Sequence, residues 1–177
     1  MKIRVVDIPE EGFLHRIDDT RSSINLFDEE VPVLESISGS LFVKVHEAGR
    51  VHVKGNVRVV IELTCSRCLK TYSFVVEKSI DEDYYPIEDM PFGERTHLSM
   101  EDLDTCYYSH GEIDLESIYM EQIYLAIPMK PLCDEDCKGI CPVCGKDLNE
   151  GPCGCSRGIP DPRWESLIEL KEKLKKE

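Results

Sequence analysis

The sequence predicts an α+β protein, with an antiparallel β-sheet or partial barrel, helices, and a C-terminal cysteine-rich segment stapled by metal. Three observations lead to this reading. Residues 38–63 alternate apolar and polar positions about a central turn, residues 114–127 carry apolar side chains ahead of a proline, and eight of the nine cysteines fall in close-spaced pairs. A chain of 177 residues suffices for one ordinary domain and a small appended module. We therefore read 1–128 as a β-rich domain with one helix, 129–160 as a metal-binding segment, and 161–177 as a C-terminal helix.

The first strand pair rests on period-two alternation. Leu41, Val43 and Val45 precede Glu47-Ala48-Gly49-Arg50, and Val51, Val53, Val57, Val59, Ile61 and Leu63 follow it, so a β-hairpin with one buried face is expected. A third strand is expected over Thr71–Ile80, where Tyr72, Phe74 and Val76 alternate with Ser73, Val75 and Glu77. Residues 81–111 are acidic, contain Pro86, Pro91 and Gly93 and show no period, which predicts a long loop. Asp114 then caps a helix bearing Leu115, Ile118, Ile123, Leu125 and Ile127, ended by Pro128. A last helix starts at Asp161-Pro162 and carries Trp164, Leu167, Ile168, Leu170 and Leu174 toward a lysine-rich end.

The formal charge of −14 is segregated. Between Glu77 and Glu121 stand fourteen acidic residues against Lys78 and Arg95 alone, which leaves the rest of the chain close to neutral. A local basic surface is therefore compatible with the acidic total. No apolar run of signal-peptide length opens the chain, and nowhere do eighteen apolar residues follow one another. A cytoplasmic, non-membrane protein is expected, and in a reducing compartment paired cysteines read as metal ligands rather than disulfides.

The densest chemistry is Cys141-Pro-Val-Cys144-Gly followed by Cys153-Gly-Cys155. Two thiolates separated by two residues can wrap one ion, and Gly145 lets backbone amides approach sulfur. Four soft ligands favour zinc. The Cys-Pro-X-Cys-Gly turn also resembles half of a rubredoxin iron site, and the missing second copy of that turn places iron behind zinc. Upstream, Cys65-Ser-Arg-Cys68 stands between the second and third strands, and its complement by count is Cys133-Asp-Glu-Asp-Cys137. Cys137 and Cys141 remain interchangeable at this stage, so one or two zinc ions are expected. The plainer alternative, eight unmetallated thiols, would crowd mutually repelling groups into Gly/Pro-rich turns. A disulfide-exchange role would need a Cys-X-X-Cys opening a helix after a strand, and neither pair has that setting. Cys106 has no partner spacing and reads as a core residue.

Five histidines are scattered without ligand spacing and read as surface residues. No phosphate-cradling loop or nucleophile elbow appears, no small-molecule substrate is identified, and no catalytic machinery is evident. One feature remains. The outward positions of the hairpin include Lys44, His46, Arg50, His52, Lys54 and Arg58, a stripe that could neutralise RNA phosphates, with Phe42 at its end. The plainer reading is a solvated strand face or one covered by the acidic segment.

Cys65-X-Arg67-Cys68-Leu69, Gly111-Glu112-Ile113-Asp114-Leu115, Ile127-Pro128-X-X-Pro131-Leu132-Cys133 and Gly139-X-Cys141-X-X-Cys144-Gly145-X-X-Leu148-Asn149 together resemble the YceD family. Its members are described as large ribosomal RNA subunit accumulation proteins. The resemblance implies a non-catalytic role in accumulating or processing large-subunit (23S-type) ribosomal RNA, with that RNA or a ribosomal protein as partner. It carries over no catalytic residue. Because some members look as if they lack the last cluster, it points to Cys65, Cys68 and Cys133 as the functional set. The competing expectations are a thiol oxidoreductase, a metal-dependent RNA-processing enzyme, or an acidic module in which residues 77–121 meet basic ribosomal proteins.

Overall fold

The computed structural model describes residues 1–26, 29–89 and 105–155. The chain divides into two compact units, Met1–Cys65 with Lys70–Cys133, and Ser66–Leu69 with Asp134 onward. The expected helix over 161–177 lies outside the described residues, as does the middle of the expected 81–111 loop.

The first unit is a sheet with one helix. Its strands are β1 (Lys2–Arg4), β2 (Phe13–Asp19), β3 (Ser23–Leu26), β4 (Glu29–Val45), β5 (Val51–Thr64), β6 (Thr71–Pro86), β7 (Cys106–Tyr108) and β8 (Glu112–Asp114), and its helix is α1 (Leu115–Ala126). The main sheet has six strands in the order β2-β4-β5-β6-β7, with β3 paired to β4 beside that path. Every pairing in it is antiparallel except β6 with β7. β1 and β8 form a separate two-stranded ribbon.

The expected hairpin is β4–β5. Val45 pairs with Val51 across a turn at Glu47–Gly49, in which Ala48 (φ 58°) and Gly49 (φ 74°) both adopt the left-handed region. Leu41, Val43, Val51, Val53, Val57, Val59 and Ile61 are fully buried, as the alternation requires. Gly39 and Gly55 mark where the two strands crowd each other. A Cβ on Gly39 would meet the Asn56 carbonyl oxygen at 2.1 Å, and one on Gly55 the Ser40 oxygen at 2.0 Å.

α1 begins where expected, with the Asp114 carboxylate accepting from the Glu116 N–H at 3.1 Å. Leu115, Ile118, Tyr119, Met120 and Ile123 are buried in the core shared with the sheet. Leu125 instead is largely exposed, because two residues beyond Ile123 turn it about 200° away from the buried face. Two polar clamps fix the helix to the strands. Arg21 donates to Asp19 (2.8 Å) and to Glu116 (2.6 Å), while the Tyr119 hydroxyl donates to Asp19 at 3.0 Å. Glu82 on β6 accepts from Tyr84 and from Gln122 of α1, each at 2.6 Å.

The strand at Thr71 extends beyond its expected end. It continues through Asp81 and Asp83 to Pro86, because these acids lie on the outward face while Ile80 and Tyr84 stay buried. Loop-like composition here masked a strand whose solvent side is acidic. The first 35 residues, which carry no clear periodicity, hold β1 to β3 and the start of β4; β2 buries only Ile17 fully and sits at the sheet edge, so its pattern is weak.

The second unit has little regular structure. Ile140 bridges Asp147, Ile140 N–H donates to Arg67 O (3.1 Å), and Leu148 N–H donates to Gly139 O (2.9 Å). The Arg67 guanidinium donates to the carbonyls of Glu135 (2.8 Å) and Cys137 (2.9 Å). Gly139, at φ 73°, lies so close to Arg67 that a Cβ would meet its carbonyl oxygen at 2.9 Å.

Candidate metal centre

The two Cys-X-X-Cys stretches fold alike. Cys65 N–H donates to Lys70 O at 2.9 Å, and Cys141 N–H donates to Lys146 O at 2.8 Å, so each first cysteine closes a turn onto the residue five places on. The residue before that acceptor is left-handed in both, Leu69 at φ 60° and Gly145 at φ 74°. This turn points successive N–H groups inward. Val143 N–H reaches the Cys141 sulfur at 3.4 Å. Hydrogen bonds from the Cys144 and Val143 amides lower the Cys141 thiol to about 6. Cys155 is pushed up to about 12, since hydrogen bonds with Cys144 and Cys153 and the charge on those sulfurs disfavour its thiolate.

The sulfurs gather in two sets of four. Those of Cys65, Cys68, Cys133 and Cys137 lie within 4.8 Å of one another, and so do those of Cys141, Cys144, Cys153 and Cys155. Two thiolates on one tetrahedral ion, each at about 2.3 Å, stand about 3.8 Å apart, so small adjustments would bring each set onto an ion. Cys137 falls in the first set rather than the second. No disulfide links any of the nine cysteines. Each set could hold a metal ion, and four thiols without a carboxylate or imidazole suit zinc. Cys106 joins neither set; it packs partly buried against the core, where burial raises its thiol pKa.

Supporting contacts come from residues that the sequence placed in a strand or a turn rather than at the metal. The Asn149 amide donates to the Cys137 sulfur at 3.4 Å while its side-chain oxygen accepts from Lys138 N–H at 2.7 Å. Asn149 closes the motif that runs from Gly139 through Cys141 and Cys144, which is the sequence signal for it. Burial does most to raise the pKa of the Tyr72 hydroxyl, the charge of Cys65 and Cys133 adds to it, and a hydrogen bond with the Leu132 backbone opposes them.

The hairpin cations lie on the outward face and most are paired. Arg58 meets Glu35 at 2.7 Å, Lys54 meets Asp81 at 3.0 Å, and Arg50 lies 3.7 Å from Asp83. His52 stands between Asp83 (3.0 Å) and Asp81 (3.5 Å), with His46 edge-on to its ring. The β5–β6 register causes this, since Lys54 pairs with Asp81 and His52 with Asp83. Lys44 alone of the four candidate RNA contacts has no ion-pair partner among the described residues. Phe42 is partly exposed.

The YceD family model, described as large ribosomal RNA subunit accumulation protein YceD, matches residues 53–171. The chain belongs to the YceD family. The matched YceD region takes in all eight clustered cysteines and begins within β5. An uncharacterized protein of Mycobacterium tuberculosis is 33% identical over 119 residues, covering 67% of this chain and 54% of that protein. The large ribosomal RNA subunit accumulation protein YCED homolog 1, chloroplastic, of Arabidopsis thaliana is 26% identical over 151 residues, 73% of this chain and 47% of that protein. The Zea mays protein of the same name is 28% identical over 147 residues, 70% of this chain and 48% of that protein. This YceD chain thus spans about half the length of the curated relatives it matches. No solved structure matches it. No helix among the described residues is long and apolar enough to cross a membrane.

Proposed function

We propose that this YceD chain is a non-catalytic cytoplasmic factor supporting accumulation of large-subunit ribosomal RNA, built on two structural zinc sites. The observation that carries the zinc reading is the convergence of two complete four-cysteine sets on two like turns. A closed four-thiolate site leaves no open coordination position, which supports a structural ion rather than a catalytic one. The role in ribosomal RNA follows the family description and the names of the plant relatives. Cys65, Cys68, Cys133 and Cys137 take one ion, and Cys141, Cys144, Cys153 and Cys155 the other.

The ion pairs on the hairpin bear on the partner. Arg50, Lys54 and Arg58 would have to exchange carboxylates for phosphates to hold RNA, which supports a ribosomal protein as the first contact. The test has two arms. Depleting the chain should lower the ratio of large- to small-subunit ribosomal RNA, and an unchanged ratio would remove the assignment. Protein purified without oxygen should carry two zinc ions per chain, with Cys144→Ser and Cys133→Ser each removing one. Metal-free protein of unchanged fold would end the zinc reading.

A further inference from the structure

A cleft of about 520 Å³ opens between the β3–β4 strands, the end of β5 and the segment leaving α1. Its wall is apolar, with Val31 and Leu63 on the strand side, Tyr124 and Leu125 on the helix, and Met129 on the exit segment. Leu125 is 79% exposed and Met129 fully so, two large apolar side chains that nothing among the described residues covers. Glu29, Glu30 and Glu62 also line the cleft, and among the described residues no lysine, arginine or histidine does.

We propose that this cleft docks a lysine- or arginine-rich polypeptide segment that presents large apolar side chains. Charge and shape together select that occupant. Three carboxylates on the rim repel the phosphates of RNA and attract cations. An apolar metabolite would use the wall and gain nothing from the carboxylates. A basic segment with apolar anchors satisfies both, its side chains filling the cleft and its cations meeting Glu29, Glu30 and Glu62. Met129 suits such a surface because its unbranched thioether adapts to differing anchors. The wall is also held in shape. Pro128 and Pro131 restrict the exit segment, which runs directly to Cys133 of the first sulfur set.

This deepens the proposed function by naming the partner class, and it rests on that reading only for where such a segment would be met. The test uses the zinc-loaded chain with a photo-crosslinking benzoylphenylalanine placed at Leu125 or Met129, and at Leu14, an exposed leucine on β2, as control. Irradiation in cells should give adducts from the first two positions only, and sequencing should identify the captured segment as basic with apolar anchors. A synthetic copy of that segment should bind the purified protein and lose at least tenfold in affinity with Glu62→Lys or Met129→Asp. Crosslinking to RNA, to a second copy of the chain, or equally from Leu14 would overturn the proposal, as would no adduct at all. If the adducts fail while ribosomal RNA still depends on the chain, only the cleft reading falls. If the basic segment is captured while depletion leaves that RNA unchanged, the functional reading falls and the cleft stands.

Discussion

Leu69 occupies a position that geometry reserves for glycine. The equivalent residue in the second turn is Gly145, and both have φ between 60° and 74°. A left-handed conformation costs a residue with a Cβ about 1–2 kcal/mol, and Leu69 is 62% exposed, so packing returns little of it. Leu69→Gly should therefore raise stability of the metal-loaded protein by about 1 kcal/mol in urea unfolding, after allowing for the extra entropy glycine gives the unfolded chain. No change, or a loss, would mean that the leucine side chain is held by contacts the free protein does make. At this scale the sequence was informative about ligands and silent about their supports. Paired cysteines announce themselves by spacing, whereas the Asn149 amide on Cys137 and the Tyr72 hydroxyl near Cys133 depend on residues distant in sequence.

Among the elements, β2 and α1 are joined through Asp19. The Arg21 hydrogen bond holds the Asp19 carboxyl below its usual range, outweighing the opposing effect of burial, and Tyr119 adds a further donor. A depressed carboxylate pKa stabilises the fold above the unfolded value near 4 and loses that contribution as pH falls through the folded value. Asp19→Asn should lower stability at pH 7 by about 1 kcal/mol or less, given the partial exposure of the pair, and should flatten the loss of stability below about pH 4. Equal acid sensitivity in the variant, followed by circular dichroism, would place the acid transition elsewhere. The elements legible in sequence were those with one dry face and one wet face. β4, β5 and α1 were read from alternation and capping, whereas the end of β6 was hidden because its wet face is acidic and its cationic partners sit on the neighbouring strand. The parallel β6–β7 pairing is three residues long and gives no local signal.

The two units divide stability unequally. The first has a core of isoleucine, valine and leucine from six strands and the helix. In the second, the buried residues among those described are Cys68, Cys137, Cys141 and Gly139, with no large apolar side chain among them. On the proposed zinc reading such a segment would take its order from bound metal, which can supply on the order of 10 kcal/mol. Chelation at neutral pH should therefore abolish amide protection over Asp134–Cys155 while β4, β5 and β6 keep theirs, measured by hydrogen exchange. Persisting protection after verified metal loss would show a unit that needs no ion. The antiparallel strands, the helix and the cysteine clusters were legible at this scale because layers follow from periodicity, whereas the compact unit that runs to Cys133 and gives Ser66–Leu69 to the other follows from contacts. Composition changes gradually along the chain; contacts do not.

The turn that connects β5 to β6 is also the turn that carries Cys65 and Cys68. A hairpin usually waits for its loop to close by chance, and the entropy of that closure contributes to the barrier. An ion caught here by two cysteines three residues apart would close the loop before any strand has paired. The longest pairing in the sheet, fourteen residue pairs from Val51–Tyr84 to Thr64–Thr71, would then zip outward from that point. Zinc should accordingly act as a folding accelerator as well as a stabiliser. Stopped-flow refolding should be several-fold faster with zinc present from the start than with zinc added after collapse, and Cys68→Ser should erase the difference. If zinc slows unfolding and leaves the refolding rate untouched, the ion arrives after the transition state and the hairpin nucleates elsewhere.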